Sequence, residues 1–183
     1  MTALFGGAFD PPHLGHVAVL AAARERFELE PIVVLVTADP GHKSVHAEAA
    51  RRLELARAAF PDAEVELDPH ARTVDMLREG RFHDPLLLIG ADELMDFPSW
   101  KEPNEVLRLA RLGVATRPGY PPERIELALA ALDRPDRVLF FEIEPVAVSS
   151  NDIRQRVARG GSIAELVPDG VARAIEEYGL YRR

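Results

Sequence analysis

Thr2-Ala3-Leu4-Phe5-Gly6-Gly7-Ala8-Phe9-Asp10-Pro11-Pro12-His13-Leu14-Gly15-His16 opens the chain with an apolar run, a turn rich in glycine and proline, and the first residues of a helical pattern. Thr2 to Phe5 reads as a short buried strand, and Gly15 to Phe27 carries Ala, Leu, Glu and Arg at helical spacing. A strand that turns straight into a helix is the opening unit of a parallel sheet, because parallel neighbours need a crossover between them. Outward from this stretch the same alternation recurs. Ile32 to Thr37, Glu64 to Leu67, Leu86 to Ile89, Leu112 to Thr116 and Val138 to Ile143 read as strands, most of them continuously apolar as strands buried on both faces are. His46 to Phe60, Thr73 to Arg78, Pro103 to Arg111 and Pro122 to Leu132 read as the intervening helices, and Phe97 to Pro103 as a loop. After the last strand come two helices, Asn151 to Arg159 and Pro168 to Tyr178, separated by Gly160-Gly161 and closed by Gly179.

The expected fold is therefore α/β: a Rossmann-like, doubly wound, mainly parallel sheet with helices on both faces and a C-terminal helical extension. At 183 residues, with no internal repeat or long linker, residues 1–183 are expected to form one domain. The absence of cysteine excludes disulfides, thiolate-bound metals and a thiol nucleophile. A net charge of −8 argues against a nucleic-acid-binding surface, so an anionic ligand must meet a local basic cluster. Met1 to Phe5 lacks the basic and long apolar regions of a signal peptide, and no apolar run approaches the roughly 20 residues of a membrane span, which predicts a cytoplasmic protein without membrane partners.

In a doubly wound sheet ligands sit beyond the carboxyl ends of the strands, and Gly6 to His13 and Ala38 to Ser44 each follow a strand there. The first of these loops runs into a helix start, a position suited to phosphate. It matches neither G-x-G-x-x-G nor a P-loop, which weighs against hydride transfer and P-loop chemistry. It offers instead His13 and His16, three residues apart on one helix side, able to donate to anionic oxygens and to carry charge near neutral pH. The alternative is that His13 closes the turn and His16 satisfies buried groups. No third ligand stands at a zinc-like spacing, and no protein metal site is expected.

His13-Leu14-Gly15-His16 resembles the H-x-G-H signature of the nucleotidylyltransferase superfamily, and Gly6 to His13 resembles its G-G-[ST]-F-D-P-x-H form. Val148-Ser149-Ser150-Asn151-Asp152-Ile153-Arg154 is similar to the second signature, I-S-S-[ST]-x-I-R. Within the superfamily the chain most resembles the bacterial nicotinate-nucleotide adenylyltransferases, nearly end to end. Pro40-Gly41-His42-Lys43 resembles P-P-H-[KR], Thr73 to Leu77 resembles T-x-D-T-L, and Ile89-Gly90-Ala91-Asp92 resembles I-G-x-D. Phe97 to Trp100 and the closing Gly179-Leu180-Tyr181 also fit.

The resemblance implies transfer of the adenylyl group of ATP to nicotinate mononucleotide, with Mg²⁺ held mainly through ATP phosphates and with homo-oligomerisation left open. The nucleophile would be a phosphate oxygen already ionised at neutral pH, so positioning and electrostatics suffice and no general base is required. The implied catalytic set is His13, His16, Lys43 and Arg154. ATP contacts are implied for these histidines and Arg154, with Gly6, Gly7, Phe9, Ser149, Ser150 and Ile153. Mononucleotide contacts are implied for Ala8, Lys43, Thr73, Asp75, Gly90, Asp92 and Trp100. Several of these positions have plainer readings that stay open. The Ser149-Ser150 pair reads also as a helix cap, Asp92 as a cap rather than a ribose contact, Asp75 as a first-turn acid, and Trp100 as core rather than a stacking platform. His46, His70 and His83 read as surface or structural residues. Gly41, Arg72, Met76 and Lys101 depart from the family pattern, and the basic Arg72 and Lys101 would favour a nicotinate carboxylate if either reached the ring.

Overall fold

The computed structural model describes residues 1–40 and 45–182. In chain order the elements are β1 (Ala3–Gly7), α1 (Leu14–Phe27), β2 (Ile32–Thr37), α2 (Ala49–Ala59), β3 (Glu64–Asp68), α3 (Thr73–Arg78), β4 (Leu86–Gly90) and α4 (Ala91–Asp96). A 3-10 turn over Phe97–Ser99 leads to α5 (Pro103–Leu109), β5 (Arg111–Thr116), α6 (Pro122–Ala130), a second 3-10 turn over Pro135–Arg137, β6 (Val138–Glu142), α7 (Ser150–Ala158) and α8 (Asp169–Glu177). All strand pairs are parallel, and the six-stranded sheet has the order β3-β2-β1-β4-β5-β6. The expected α/β, doubly wound architecture is the observed one.

Alternation along each strand divides the core between the two sheet faces. Ala3, Phe5, Val34, Val36, Leu86 and Leu88 point to the side covered by α1, α2, α7 and α8, where Leu20, Leu55, Ile153, Val171 and Ile175 meet them. Leu4, Val33, Leu35, Leu87, Leu112 and Val114 point to the side covered by α3 to α6, against Val74, Leu94, Val106 and Ala128. Each fully buried Leu or Phe contributes about 1.5–3 kcal/mol, which makes the central strands a rigid platform for the loops at their ends.

Two boundaries differ from the sequence reading for identifiable reasons. The helix expected from His46 begins at Ala49, because the N–H groups of His46 and Ala47 are bonded to the Asp10 carboxylate. The stretch after β4, assigned to no element in the sequence reading, is the six-residue α4, with Gly90 at its N-cap and the Glu93 carboxylate accepting from the Gly90 N–H at 3.1 Å. Among the described residues no helix is long and apolar enough to cross a membrane.

Candidate active site

The sheet order reverses between β1 and β4, and the strands part there. β1 pairs with β4 only as far as Phe5 opposite Leu88, while its pairing with β2 continues to Gly7 opposite Val36. Gly6 and Gly7 therefore form one lip of a crevice at the carboxyl ends of the strands, where doubly wound folds place their ligands. A Cβ built on Gly6 would meet nothing within 4 Å, so its backbone is open to a ligand. A Cβ on Gly7 would lie 3.0 Å from the Phe9 ring, which is itself held with φ at 48°. Glycine at position 7 is what lets Phe9 fold back into the core, where it meets Phe5 edge-on at 5.5 Å and His16 edge-on at 5.2 Å.

The crevice is a cavity of about 420 Å³ lined by Phe5 to Asp10, His16, Val45, Glu93, Ser150, Asn151 and Arg154. It thus gathers Gly6, Gly7, Ala8, Phe9, His16, Ser150 and Arg154 of the expected site. Phe5, Asp10, Val45, Glu93 and Asn151 were not expected there.

His13 and His16 stack with ring centroids 3.7 Å apart and planes inclined by 27°. A Cβ at position 15 would press on the His13 ring at 3.0 Å, so Gly15 is required for the stack. The His13 N–H donates to His16 Nδ1 at 3.2 Å, which leaves the neutral His16 ring with its proton on Nε2. His16 is thereby oriented as a donor at the cavity wall. His13 is not part of that wall. Its Nδ1 is buried without a hydrogen-bond partner among the described residues, and burial lowers its pKa to about 4. The expectation that both imidazoles carry charge near neutral pH is corrected for His13, which is neutral because its surroundings cannot solvate a cation.

α7 closes the opposite side. Ser149 is its N-cap: the hydroxyl accepts from the Asp152 N–H at 3.1 Å and donates to the Asp152 carboxylate at 2.7 Å. The plainer capping reading is therefore observed for Ser149. Ser150 donates to the Pro11 carbonyl at 2.8 Å, and Arg154 Nη1 donates to the Asp10 carbonyl at 2.7 Å. Ile153, implied as an ATP contact, is fully buried, and its N–H is bonded to the Ser149 carbonyl; it anchors α7 in the core rather than offering a contact.

Two residues that the sequence reading did not single out hold the loops in place. Asp10 is 4% exposed, and its carboxylate accepts from the N–H groups of His46 at 2.6 Å and Ala47 at 3.1 Å. Arg52 is 1% exposed and donates to four carbonyls, those of Ala8, Thr37, Ala38 and Ala47, at 2.7 to 3.1 Å. The ends of β1 and β2 are thus stitched by one guanidinium. Its signal was periodicity, since Arg52 shares the face of Leu55, Ala56 and Ala59.

Of the residues implied for the mononucleotide, those described stand outside this cavity, Ala8 excepted. Thr73 opens α3 and is half-buried. The Asp75 carboxylate is bonded to Lys101 Nζ at 2.8 and 3.0 Å, and this bond lowers its pKa. Lys101 therefore pairs with Asp75. Arg72 is exposed, with one guanidinium nitrogen 3.4 Å from the Ala71 carbonyl. Met76, another departure, is buried in the core beneath α3. Asp92 is not the cap of α4; its exposed carboxylate accepts from the Tyr120 hydroxyl at 3.0 Å. Trp100 is half-buried against Phe97, ring centroids 5.2 Å apart. Lys43 and Gly41 lie outside the described residues. Of the histidines read as surface or structural, His46 has its ring Nδ1 3.7 Å from Asp10, and His70 bridges Asp68 and Glu79 at 2.7 and 3.0 Å, with Asp68 first in raising its pKa. Among the described residues no group of three or more His, Asp or Glu side chains is disposed to hold a metal.

Comparison with known proteins agrees with this geometry. The cytidylyltransferase-like family model matches residues 4–156, spanning both signatures. The chain is 38% identical over 191 residues to a protein of Exiguobacterium sibiricum named probable nicotinate-nucleotide adenylyltransferase, covering 97% of each chain. It is also 38% identical over 191 residues to a Thermus thermophilus protein of the same name, covering 98% of each. Among solved structures, Plasmodium falciparum nicotinic acid mononucleotide adenylyltransferase complexed with NaAD superposes with a TM-score of 0.79 at 16% identity, over 98% of this chain and 96% of that one. This last likeness bears on the fold alone, whereas the near full-length identities bear on kinship: the chain belongs to the cytidylyltransferase-like family and, within it, to the nicotinate-nucleotide adenylyltransferases.

Proposed function

We propose that the protein transfers the adenylyl group of ATP to nicotinate mononucleotide, giving nicotinate adenine dinucleotide and pyrophosphate in NAD biosynthesis. The observation that carries this reading is the cavity at the switch point, whose wall brings together the open backbone of Gly6, the His16 ring and the Arg154 guanidinium. In the transfer, a phosphate oxygen of the mononucleotide bonds to the α-phosphorus of ATP. The bond from that phosphorus to the bridging oxygen breaks, and pyrophosphate leaves with the electron pair. No proton need be abstracted, since the attacking phosphate is already ionised.

His16 donates from Nε2 to the oxygen on which charge grows. Arg154 has one nitrogen committed to the Asp10 carbonyl, which fixes the guanidinium plane and presents its other edge to the β- and γ-phosphates. Ser150 adds a hydroxyl that can turn from Pro11 to a phosphate. Lys43, from the family motif, adds a point charge in the same reading. Mg²⁺, brought in with ATP, would supply positive charge to the phosphates of ATP and pyrophosphate. Such an ion would ask for few protein ligands, in keeping with the described residues, which gather no group of three or more His, Asp or Glu side chains. Thr73, Asp75, Gly90, Asp92 and Trp100 would receive the mononucleotide across the crevice, and the cytoplasm, where both substrates are made, is the proposed location.

The test is product identification after mixing the protein with ATP, Mg²⁺ and, in separate reactions, nicotinate mononucleotide, nicotinamide mononucleotide and phosphopantetheine. Nicotinate adenine dinucleotide and pyrophosphate in equal amounts are the expected result. Turnover confined to either other acceptor would overturn the assignment.

A further inference from the structure

The C-terminal turn reaches the cavity from the far end of the sequence. After α8, Gly179 adopts φ of 61°, and the Gly179 and Leu180 N–H groups bond back to Glu176 and Ile175. Tyr181 follows with φ of 62°, a left-handed conformation that costs a non-glycine residue free energy and persists where its surroundings hold it. The holding contact is the phenol. Tyr181 Oη donates to Asp10 Oδ1 at 2.7 Å, 171 positions away, and the ring packs against the core beneath the sheet.

We propose that Tyr181 is a positioning residue for ATP: its hydroxyl locks the Asp10 carboxylate, and the locked carboxylate holds the wall of the cavity in its binding shape. Asp10 lies in that wall, so a charged carboxylate stands beside the path of an anionic substrate. Its two oxygens take three donors, the His46 and Ala47 N–H groups and the Tyr181 hydroxyl. The Asp10 backbone carbonyl takes Arg154. A carboxylate fixed by three donors cannot turn toward the phosphates, and its carbonyl keeps Arg154 aimed. Removing the hydroxyl leaves Oδ1 with one donor, lets the carboxylate rotate, and shifts the carbonyl that Arg154 leans on. Burial, more than the charge of Asp10, raises the pKa of the phenol, so it stays protonated and able to donate.

This inference rests on the reading of the cavity as an ATP site, and its test separates the two. ATP binding is measured directly by calorimetry with Mg²⁺ and a non-hydrolysable ATP analogue, apart from any acceptor. Tyr181→Phe is expected to weaken the analogue at least fivefold and to lower kcat/KM for ATP about tenfold, with KM for the mononucleotide changed less than twofold. Tyr178→Phe is the control, since Tyr178 sits in the same tail but is exposed under the Arg51 guanidinium, and it should change neither. Amide exchange of the full-length protein reads the lock independently of turnover: the His46 and Ala47 amides should exchange at least tenfold faster in Tyr181→Phe. A Tyr181→Phe protein with a lowered melting temperature but wild-type analogue affinity and wild-type exchange at these two amides would overturn the inference and make Tyr181 a packing residue. Failure of the wild-type protein to bind the analogue would instead overturn the reading of the cavity.

Discussion

Each ring nitrogen of His16 has its own task, so two substitutions can separate them. Nδ1 accepts the His13 N–H and fixes the start of α1, while Nε2–H is the donor assigned to the α-phosphate. Asn places an acceptor where Nδ1 was and nothing where Nε2 was; Gln places an amide near Nε2 and leaves the His13 N–H without its partner. His16→Asn should therefore keep the helix start and lose the donor. The loss of one preorganised donor to a developing oxyanion costs about 10²–10³ in kcat, equivalent to about 2.7–4 kcal/mol. His16→Gln should keep kcat within about tenfold and lose stability instead. An unsatisfied half-buried N–H costs about 1–3 kcal/mol, which for a chain of this size lowers the melting temperature by about 3–9 °C. The assay is steady-state pyrophosphate release with saturating ATP and mononucleotide, beside thermal melting of each variant. Equal kcat losses in both variants, tracking their stabilities, would refute the division of labour. A His16→Asn protein with near-normal kcat would remove His16 from the chemistry.

Other outcomes follow from the same geometry. Arg154→Ala should weaken ATP more than AMP, since the lost contacts lie on the β- and γ-phosphates, and Arg154→Lys should rescue only part because a point charge cannot replace the guanidinium fork; equal losses of ATP and AMP affinity in a binding assay would place Arg154 elsewhere. Arg52→Ala strips donors from four carbonyls and should destabilise the fold by about 3–5 kcal/mol in chemical denaturation, a loss below about 1 kcal/mol being the refuting result. His13, lowered by burial from an ordinary 6.5 to about 4, binds a proton more readily in the unfolded chain, so its contribution is complete above pH 6.5 and is lost as pH falls through about 4. That loss is up to about 3 kcal/mol, and His13→Asn should flatten the fall in stability between pH 6.5 and 4. The kcat/KM for nicotinate mononucleotide should exceed that for the nicotinamide form at least tenfold, because a site of hydrogen-bond donors opposes an amide NH₂; a ratio near one would leave only the adenylyl-transfer class standing.

What the sequence made legible, and what it hid, follows from the range of the interactions. The strands were readable because burial on both faces leaves an uninterrupted apolar signal, as in Ile32 to Val36 and Leu86 to Ile89. The first loop was readable because Gly6 to His16 is one continuous stretch whose parts constrain each other locally: Gly7 makes room for Phe9, Gly15 for His13, and the His13 N–H orients His16. α4 was hidden, since six residues show less than two turns of helical period. The clasp on the phosphate loop was hidden for a different reason. Arg52 bonds only to main-chain carbonyls, which leave no mark on sequence, and Asp10 meets partners 36, 37 and 171 positions away. Lys101 shows the same limit: as a departure from the family pattern it suggested a charge at the pyridine ring, yet its ammonium is held by Asp75 in an exposed pair that water screens.

A protein with net charge −8 that receives two phosphate-bearing substrates must keep its own acids from opposing them. Two carboxylates, Asp10 and Glu93, line the cavity itself, and at about 5 Å and an effective dielectric of 20 each would repel a phosphate charge by about 3 kcal/mol if left facing it. Both are turned to protein donors. Asp10 takes two main-chain N–H groups and a phenol, and Glu93 takes the N–H at the cap of α4. Arg52 lies behind the same loop and Arg154 beside it, so their positive charge offsets what the acids retain. The groups facing the crevice then include the open backbone at Gly6, the His16 ring and one edge of Arg154, of which the ring and the guanidinium are donors. The hydrogen bonds that orient the two acids are thus what keeps the negative charge of the whole molecule from being aimed at the substrates in this pocket.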